Sequence, residues 1–253
     1  RIGLSLTGFP PAPVSPVQSS SYPTVLFNAM VKPWTAFPIK GVIWYQGEAN
    51  VGRSEQYGDL FPALITDWRR QWRSDFPFYF VQLANFMESK KIQPDSEWAA
   101  LREAQTKALK LDQVGMAVTI DIGLADDIHP KNKQEVGRRL ALVALAGSYG
   151  KNVSSSAPVF QNYIIKGNKM ELDFGQKQDG FQIKGTTLKG FTIAGPDRVF
   201  YPAEAMVHDG KIILSSTEVP APLAARYGWA DNPDCNLYGE NGLPVAPFRT
   251  DCW

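Results

Sequence analysis

Cysteine and histidine are scarce in this chain of 253 residues, with two of each. Both cysteines, Cys235 and Cys252, fall in the last twenty residues, and no Cys/His spacing resembles a metal site. A disulfide and two free thiols both stay open. Imidazole chemistry is confined to two candidates, His129 and His208. An excess of charge is also missing. The 26 basic and 25 acidic residues leave a net charge of +1, which excludes the basic field of a nucleic-acid binder and the acidic tail of a solvated arm. No uninterrupted apolar run approaches the roughly 20 residues of a membrane helix, so no membrane partner is expected. There is no signal peptide and no initiator Met. The chain opens at Arg1 inside what reads as an apolar strand (Ile2, Leu4, Leu6), the texture of a processed or cut chain.

What is present is ordinary globular material, 44% apolar and 20% charged, enough for a sizeable core. Residues 8–24 are rich in Pro and Ser and read as an extended connector, and 24–32 as a short helix. Residues 38–45, 76–86 and 114–123 are continuously apolar, as strands buried on both faces should be. Between them, 54–73 and 97–110 have helical period. Tyr57, Leu60, Phe61, Leu64, Ile65, Trp68 and Trp72 make one stripe, read as core rather than as a ligand box. Pro130 opens a third helix. This alternation predicts a parallel sheet covered by helices over residues 1–150. From 157 to 219 the texture changes to short alternating runs broken by Gly, Asn and Asp. They predict a β-rich, sandwich-like region over 151–253, ending in a loop-rich segment pinned on the surface.

In open parallel sheets, sites form at the carboxyl ends of strands. Here those ends carry Gln46-Gly47-Glu48-Ala49-Asn50, then Gln82 and Asn85, then Asp121 with the loop GLADDIHP. In that loop Asp126 and Asp127 precede His129. A carboxylate accepting the Nδ1 proton leaves Nε2 free to deprotonate a nucleophile. The competing reading makes His129 a loop histidine packed near a helix start. Glu48 likewise reads either as a helix cap or Arg53 partner, or as the ordering group beside an oxyanion-hole amide (Gln46) and a close-approach glycine (Gly47). His208, in MVHDGK, reads as a hairpin-turn residue.

The stretches IKGVIWYQGEAN, LFPALITDWRRQW, FPFYFVQLANF, WAALREAQ and DIHPKNKQEVGRRLAL, with the ending RYGWADNPDCNLYGENGLPVAPFRTD, resemble sialate O-acetylesterases in this order, over roughly residues 22–251. The resemblance implies an SGNH-type serine esterase that removes acetyl groups from carbohydrate hydroxyls, on sialic acid or acetylated plant glycans. The chain would hold the C-terminal part of a three-layer SGNH-hydrolase-like α/β sheet, followed by the β-rich region. His129 would be the base. Asp126 stands at the family's Asp-x-x-His position, and Asp127 is the alternative orienting acid. Gln46, Gly47 and Glu48 would shape the oxyanion site, where the family's usual Asn is absent. No metal and no cofactor are implied. The family's nucleophile lies in a Gly-Gln-Ser-Asn-Met block that does not occur here, and Gly3-Leu4-Ser5-Leu6 imitates a related signature only superficially. The resemblance therefore places the Ser on an N-terminal fragment or chain of the same enzyme, with an acetylated carbohydrate as substrate. It places the enzyme in the periplasm or outside the cell. A carbohydrate-binding or structural subunit without its own catalysis is the rival expectation.

Overall fold

The computed structural model describes residues 22–175 and 180–253. The expected first strand, Gly3-Leu4-Ser5-Leu6 and most of the expected connector lie outside them. Three short parallel strands, β1 (Val42–Trp44), β2 (Phe78–Val81) and β3 (Val114–Ala117), form a sheet in that order. Each is shorter than its apolar run. At the start of β2, Pro77 has no N–H with which to extend the ladder. At its end, α2 side chains replace the ladder: Leu83 donates its N–H to Gln105 Oε1 (2.9 Å), and its carbonyl accepts from Arg102 Nε (3.0 Å).

Side chains alternate across the sheet. Phe78 and Phe80 face α1 (Ser54–Trp72) and α2 (Glu97–Thr106), in a core with Tyr57, Phe61, Ile65, Trp98 and Leu101. Trp44 joins this core against Phe61, Trp68 and Phe78, with ring centroids 5.9–6.1 Å apart. Trp68 and Trp72 pack on the same core, as their spacing predicts. The opposite face carries α3 (Lys133–Gly147). It rides over Gly115 of β3, where any Cβ would strike Val143, and Ser148 just past its end shares a hydrogen bond with the Tyr79 hydroxyl (2.8 Å).

Two helix expectations change. α3 starts at Lys133 rather than at Pro130, because the Asn132 side chain accepts the Glu135 N–H (3.1 Å) and caps the helix there. The expected helix over 24–32 is a π-helical turn (Phe27–Val31) running into a 3-10 turn (Lys32–Trp34), with no buried residue in either. Without a core beneath it, its apolar residues have nothing to extend a regular helix against.

The rest is antiparallel: β4 (Asn162–Lys166), β5 (Lys169–Asp173), β6 (Phe181–Ile183), β7 (Phe191–Ala194), β8 (Phe200–Pro202), β9 (Glu204–His208), β10 (Lys211–Ser215), β11 (Ala224–Tyr227), β12 (Leu237–Gly239) and β13 (Phe248–Arg249). One sheet runs β4-β5-β10-β9 and another β13-β11-β7-β8, while β12 pairs with β6. Met170, Leu172, Ile212 and Leu214 of the first sheet meet Phe191, Ile193, Ala225 and Tyr227 of the second in one core. His208 ends β9 at a tight turn through Asp209 and Gly210, both at positive φ, as a hairpin residue should. The last segment is not a surface strap. Leu237, Tyr238, Leu243 and Val245 are buried, because its aromatic and aliphatic residues complete the β core.

Candidate active site

The three strand exits are tied together by side chains, some of which the sequence reading did not single out. At the first exit, Gly47 is buried and its φ of 164° is plain extended backbone. Its small size matters because a Cβ would lie 3.1 Å from both Gln105 Nε2 and Leu83 Cδ2. The Gln46 carbonyl accepts from Tyr57 Oη (3.2 Å) and Gln105 Nε2 (3.3 Å), which fixes its backbone. The Gln46 amide donates to Asn50 Oδ1 (2.7 Å); an amide nitrogen carries a second proton as well. Glu48 neither caps α1 nor pairs with Arg53, whose guanidinium goes to the Ala49 carbonyl (2.8 Å). It sits half-buried in a single 3-10 turn (Glu48–Asn50). Burial, then the Glu48 charge, push the neighbouring Tyr45 hydroxyl up to about 12.

The second exit is a frame rather than a set of free groups. Gln82 is fully buried and donates to the Arg102 carbonyl (3.2 Å). Asn85 accepts the Gly123 N–H (2.7 Å) and donates to Asn232 Oδ1 (2.7 Å), so one side chain ties β2, the loop after β3 and the C-terminal segment together. Beneath it Arg102, also fully buried, donates to the carbonyls of Leu83 (3.0 Å), Ala84 (3.4 Å), Ala230 (2.8 Å) and Asp231 (2.6 Å). Burial holds its guanidinium down at about 10.

At the third exit, Asp121 is consumed by structure. It takes a bidentate pair from Arg139 of α3 (2.6 and 2.9 Å) and a bond from Tyr238 Oη (3.1 Å). The chain then forms a bridge between Leu124 and Phe86 and packs Ile128 on the core of α1 and α2. His129 projects from this anchored loop with its side chain 87% exposed. Asp127 Oδ1 accepts the His129 backbone N–H (2.9 Å) and lies 3.7 Å from Nδ1. Lys131 Nζ is 3.9 Å from the other oxygen of that carboxylate. Asp126 is exposed and has no bond to His129 among the described residues. Four residues past His129, Lys133 Nζ lies 4.7 Å from the centre of the Tyr45 ring, which links this loop's end to the first exit.

Sequence reasoning named Gln46, Gly47, Glu48, Asp126, Asp127 and His129 and missed Arg102, Gln105 and Asn232. A signal was there for two of them. Trp98, Leu101, Arg102 and Gln105 fall at i, i+3, i+4 and i+7 of α2, so two polar residues sit on its buried stripe. Buried polar groups at such positions must have partners. The described residues contain no cluster of His, Cys, Asp or Glu able to hold a metal ion, and no helix long and apolar enough to cross a membrane.

Among known proteins, the chain is 32% identical to human sialate O-acetylesterase over 266 residues, covering 93% of this chain and 50% of that protein. It is 29% identical to rat sialate O-acetylesterase over 270 residues, covering 93% and 48%. The solved structure of a carbohydrate acetylesterase from Xanthomonas citri superposes with a TM-score of 0.87 at 46% identity, over 91% of this chain and 55% of that one. The chain thus spans about half the length of the relatives it matches. A family model described as carbohydrate esterase, sialic acid-specific acetylesterase matches residues 15–146, a span that holds all three strand exits and the Asp127–His129 pair. The chain belongs to that carbohydrate esterase family.

Proposed function

We propose that this chain is the His- and Asp-bearing half of a carbohydrate O-acetylesterase of SGNH type, with sialic acid or an acetylated plant glycan as substrate. The observation that carries the reading is the Asp127–His129 pair, held by an anchored loop at the strand exits with the imidazole facing outward. An outward imidazole is open to a nucleophile carried on another segment. The reading supplies it as a Ser from the upstream part of the same enzyme, a part the matched relatives have room for.

His129 Nε2 takes the Ser proton as the hydroxyl attacks the acetyl carbonyl, then returns it to the departing sugar oxygen. Water, deprotonated by the same nitrogen, releases acetate. Between the two acids, the contacts favour Asp127 as the group that orients the imidazole. The 3.7 Å separation tightens when the loop meets the nucleophile, as catalytic hydrogen bonds do on assembly. The Gln46 amide offers its second proton to the tetrahedral oxyanion, with Gly47 giving close approach and Glu48 ordering the exit. The division at residue 150 follows the same logic: the catalytic groups fall in 1–150, and 151–253 buttresses them. The site belongs outside the cytoplasm, in the periplasm or beyond the cell.

The test is acetate release from an aryl acetate by this chain assembled with its nucleophile-bearing half. His129→Ala should lower kcat by about 10²–10⁴-fold, the usual worth of general acid–base catalysis. Near-wild-type turnover in that variant sinks the assignment.

A further inference from the structure

We infer that Lys133 is a positioning residue for the esterase reaction: its ammonium, seated on the ring of Tyr45, holds the His129 loop at a set distance from the Gln46 exit. The inference rests on the reading above, and it names what keeps the two outer walls of that site in register.

The sheet leaves a gap to span. β1 and β3 flank β2, so the first and third exits stand two strand spacings apart, about 9.5 Å. Ladder bonds join only neighbouring strands. The second exit is tied to each of the others: Gln105 reaches both the Gln46 carbonyl and the Leu83 N–H, and Asn85 accepts the Gly123 N–H. These bonds fix the roots of the two outer walls. Gly123, however, lies well before His129 in the chain, and the loop between them has farther to go.

A direct bridge between the outer exits needs a long side chain, and Lys133 supplies one. Its Nζ stands 4.7 Å from the centre of the Tyr45 ring, inside the roughly 6 Å over which a cation is drawn to an aromatic face. Both ends of the bridge are fixed. Tyr45 is half-buried between Trp44, packed in the core of α1 and α2, and Gln46, whose carbonyl is held by Tyr57 and Gln105. Lys133 opens α3 beside the Asn132 cap, and its N–H donates to the Lys131 carbonyl (2.8 Å). Further along α3, Arg139 clamps the helix to Asp121 and to the Val118 carbonyl (2.6 Å).

The contact therefore joins the neighbour of the oxyanion amide to a residue shortly after the base. Two lysines divide the work on this loop. Lys131 turns back to the Asp127 carboxylate (3.9 Å), the group that meets the imidazole, while Lys133 reaches across to the first exit. The competing reading of Lys133 is an exposed lysine that solvates the start of a helix. It differs in one measurable respect, because a solvated lysine has no influence on His129.

Two readouts test it. The first is hydrogen exchange of this chain over peptides covering 124–132. Lys133→Met should speed exchange there by about two- to fivefold, the worth of an exposed cation–π contact, and Lys133→Arg should restore the protection, because a guanidinium also stacks on an aromatic face. The second is turnover of an aryl acetate by the chain assembled with its nucleophile-bearing half. Lys133→Met should lower kcat by about three- to tenfold with KM unchanged, since the loss falls on reacting geometry and not on binding. Lys133→Arg should recover kcat to within about twofold, and Lys133→Met should cost nothing further in a Tyr45→Leu background. Lys151→Met, at an exposed lysine beyond the far end of α3, should move neither readout. Unchanged exchange or full kcat in Lys133→Met, failure of arginine to rescue, or additive losses with Tyr45→Leu each overturns the positioning role. The parent assembly separates the two ideas. An inert parent whose exchange responds to Lys133→Met refutes the esterase reading and leaves the tie between the exits standing, and an active parent whose exchange does not respond does the reverse.

Discussion

Replacing Arg102 by Met tests whether the frame behind the strand exits carries structural weight. The guanidinium is fully buried and satisfies four carbonyls, two on the β2 exit and two on the C-terminal segment. Methionine fills much of the volume but donates to none of them. Leaving one buried acceptor unpaired costs about 1–3 kcal/mol. The bonds to Leu83, Ala230 and Asp231 are the short ones, so a loss of about 4 kcal/mol is expected once partial relaxation is allowed. With a urea m-value of about 3 kcal/mol/M for a chain of this size, the midpoint should fall by about 1.3 M. Tryptophan fluorescence reads the transition directly, since Trp98 donates to the Ala84 carbonyl beside the same frame (2.7 Å). Arg102→Lys should recover only part of the loss, because one ammonium cannot span both segments. A midpoint within about 0.3 M of the parent for the Met variant would refute the clamp, since that is less than one lost hydrogen bond is worth.

Three other outcomes are expected. Glu135 is held down at about 2, first by its Arg138 hydrogen bond. The unfolded chain therefore binds the extra proton between roughly pH 4.5 and 2, and this group's stabilisation should be lost as pH falls through that window; a Glu135→Gln variant should show a shallower acid loss in denaturation against pH. Cys252 is exposed, whereas Cys235 is a half-buried free thiol that burial pushes up to about 12, so a thiol reagent should titrate Cys252 at once and Cys235 much more slowly until denaturant is added. Gly123→Ala would force a Cβ into the Asn85 backbone carbonyl, so the loop bearing His129 must shift; kcat of the assembled enzyme should drop by more than tenfold, on the order of what a 1 Å misplacement costs, while Gly137→Ala on α3, where a Cβ meets nothing within 4 Å, should leave it unchanged.

The alternation of apolar runs was enough to place three parallel strands and three helices, although only β2 is buried along its whole length and β1 and β3 are partly buried. What the runs could not give was where β2 stops. That is decided by Arg102 and Gln105, which replace the ladder from a helix about twenty residues further along the chain. Nor did the final segment read as core. Its prolines, glycines and asparagines carry the local signal of a loop, while the burial of Leu237, Leu243 and Val245 depends on two sheets that only the tertiary fold brings together. The candidate site was readable as residue types at strand exits. The choice between two adjacent aspartates was not, because both spacings suit a histidine partner and only the loop's turn sets which carboxylate meets it.

The Arg102 and Asn85 bonds also set an order of events. Arg102 waits for carbonyls 128 and 129 residues later in the chain, and Asn85 for a side chain 147 residues later. Contacts of such long separation close late and slowly. On the ribosome, the strand exits are made early but stay unframed until Ala230, Asp231 and Asn232 emerge. Completion of the frame is therefore coupled to synthesis of the β-rich region, and a nascent chain carries the candidate residues of the strand exits long before it has a frame to hold them.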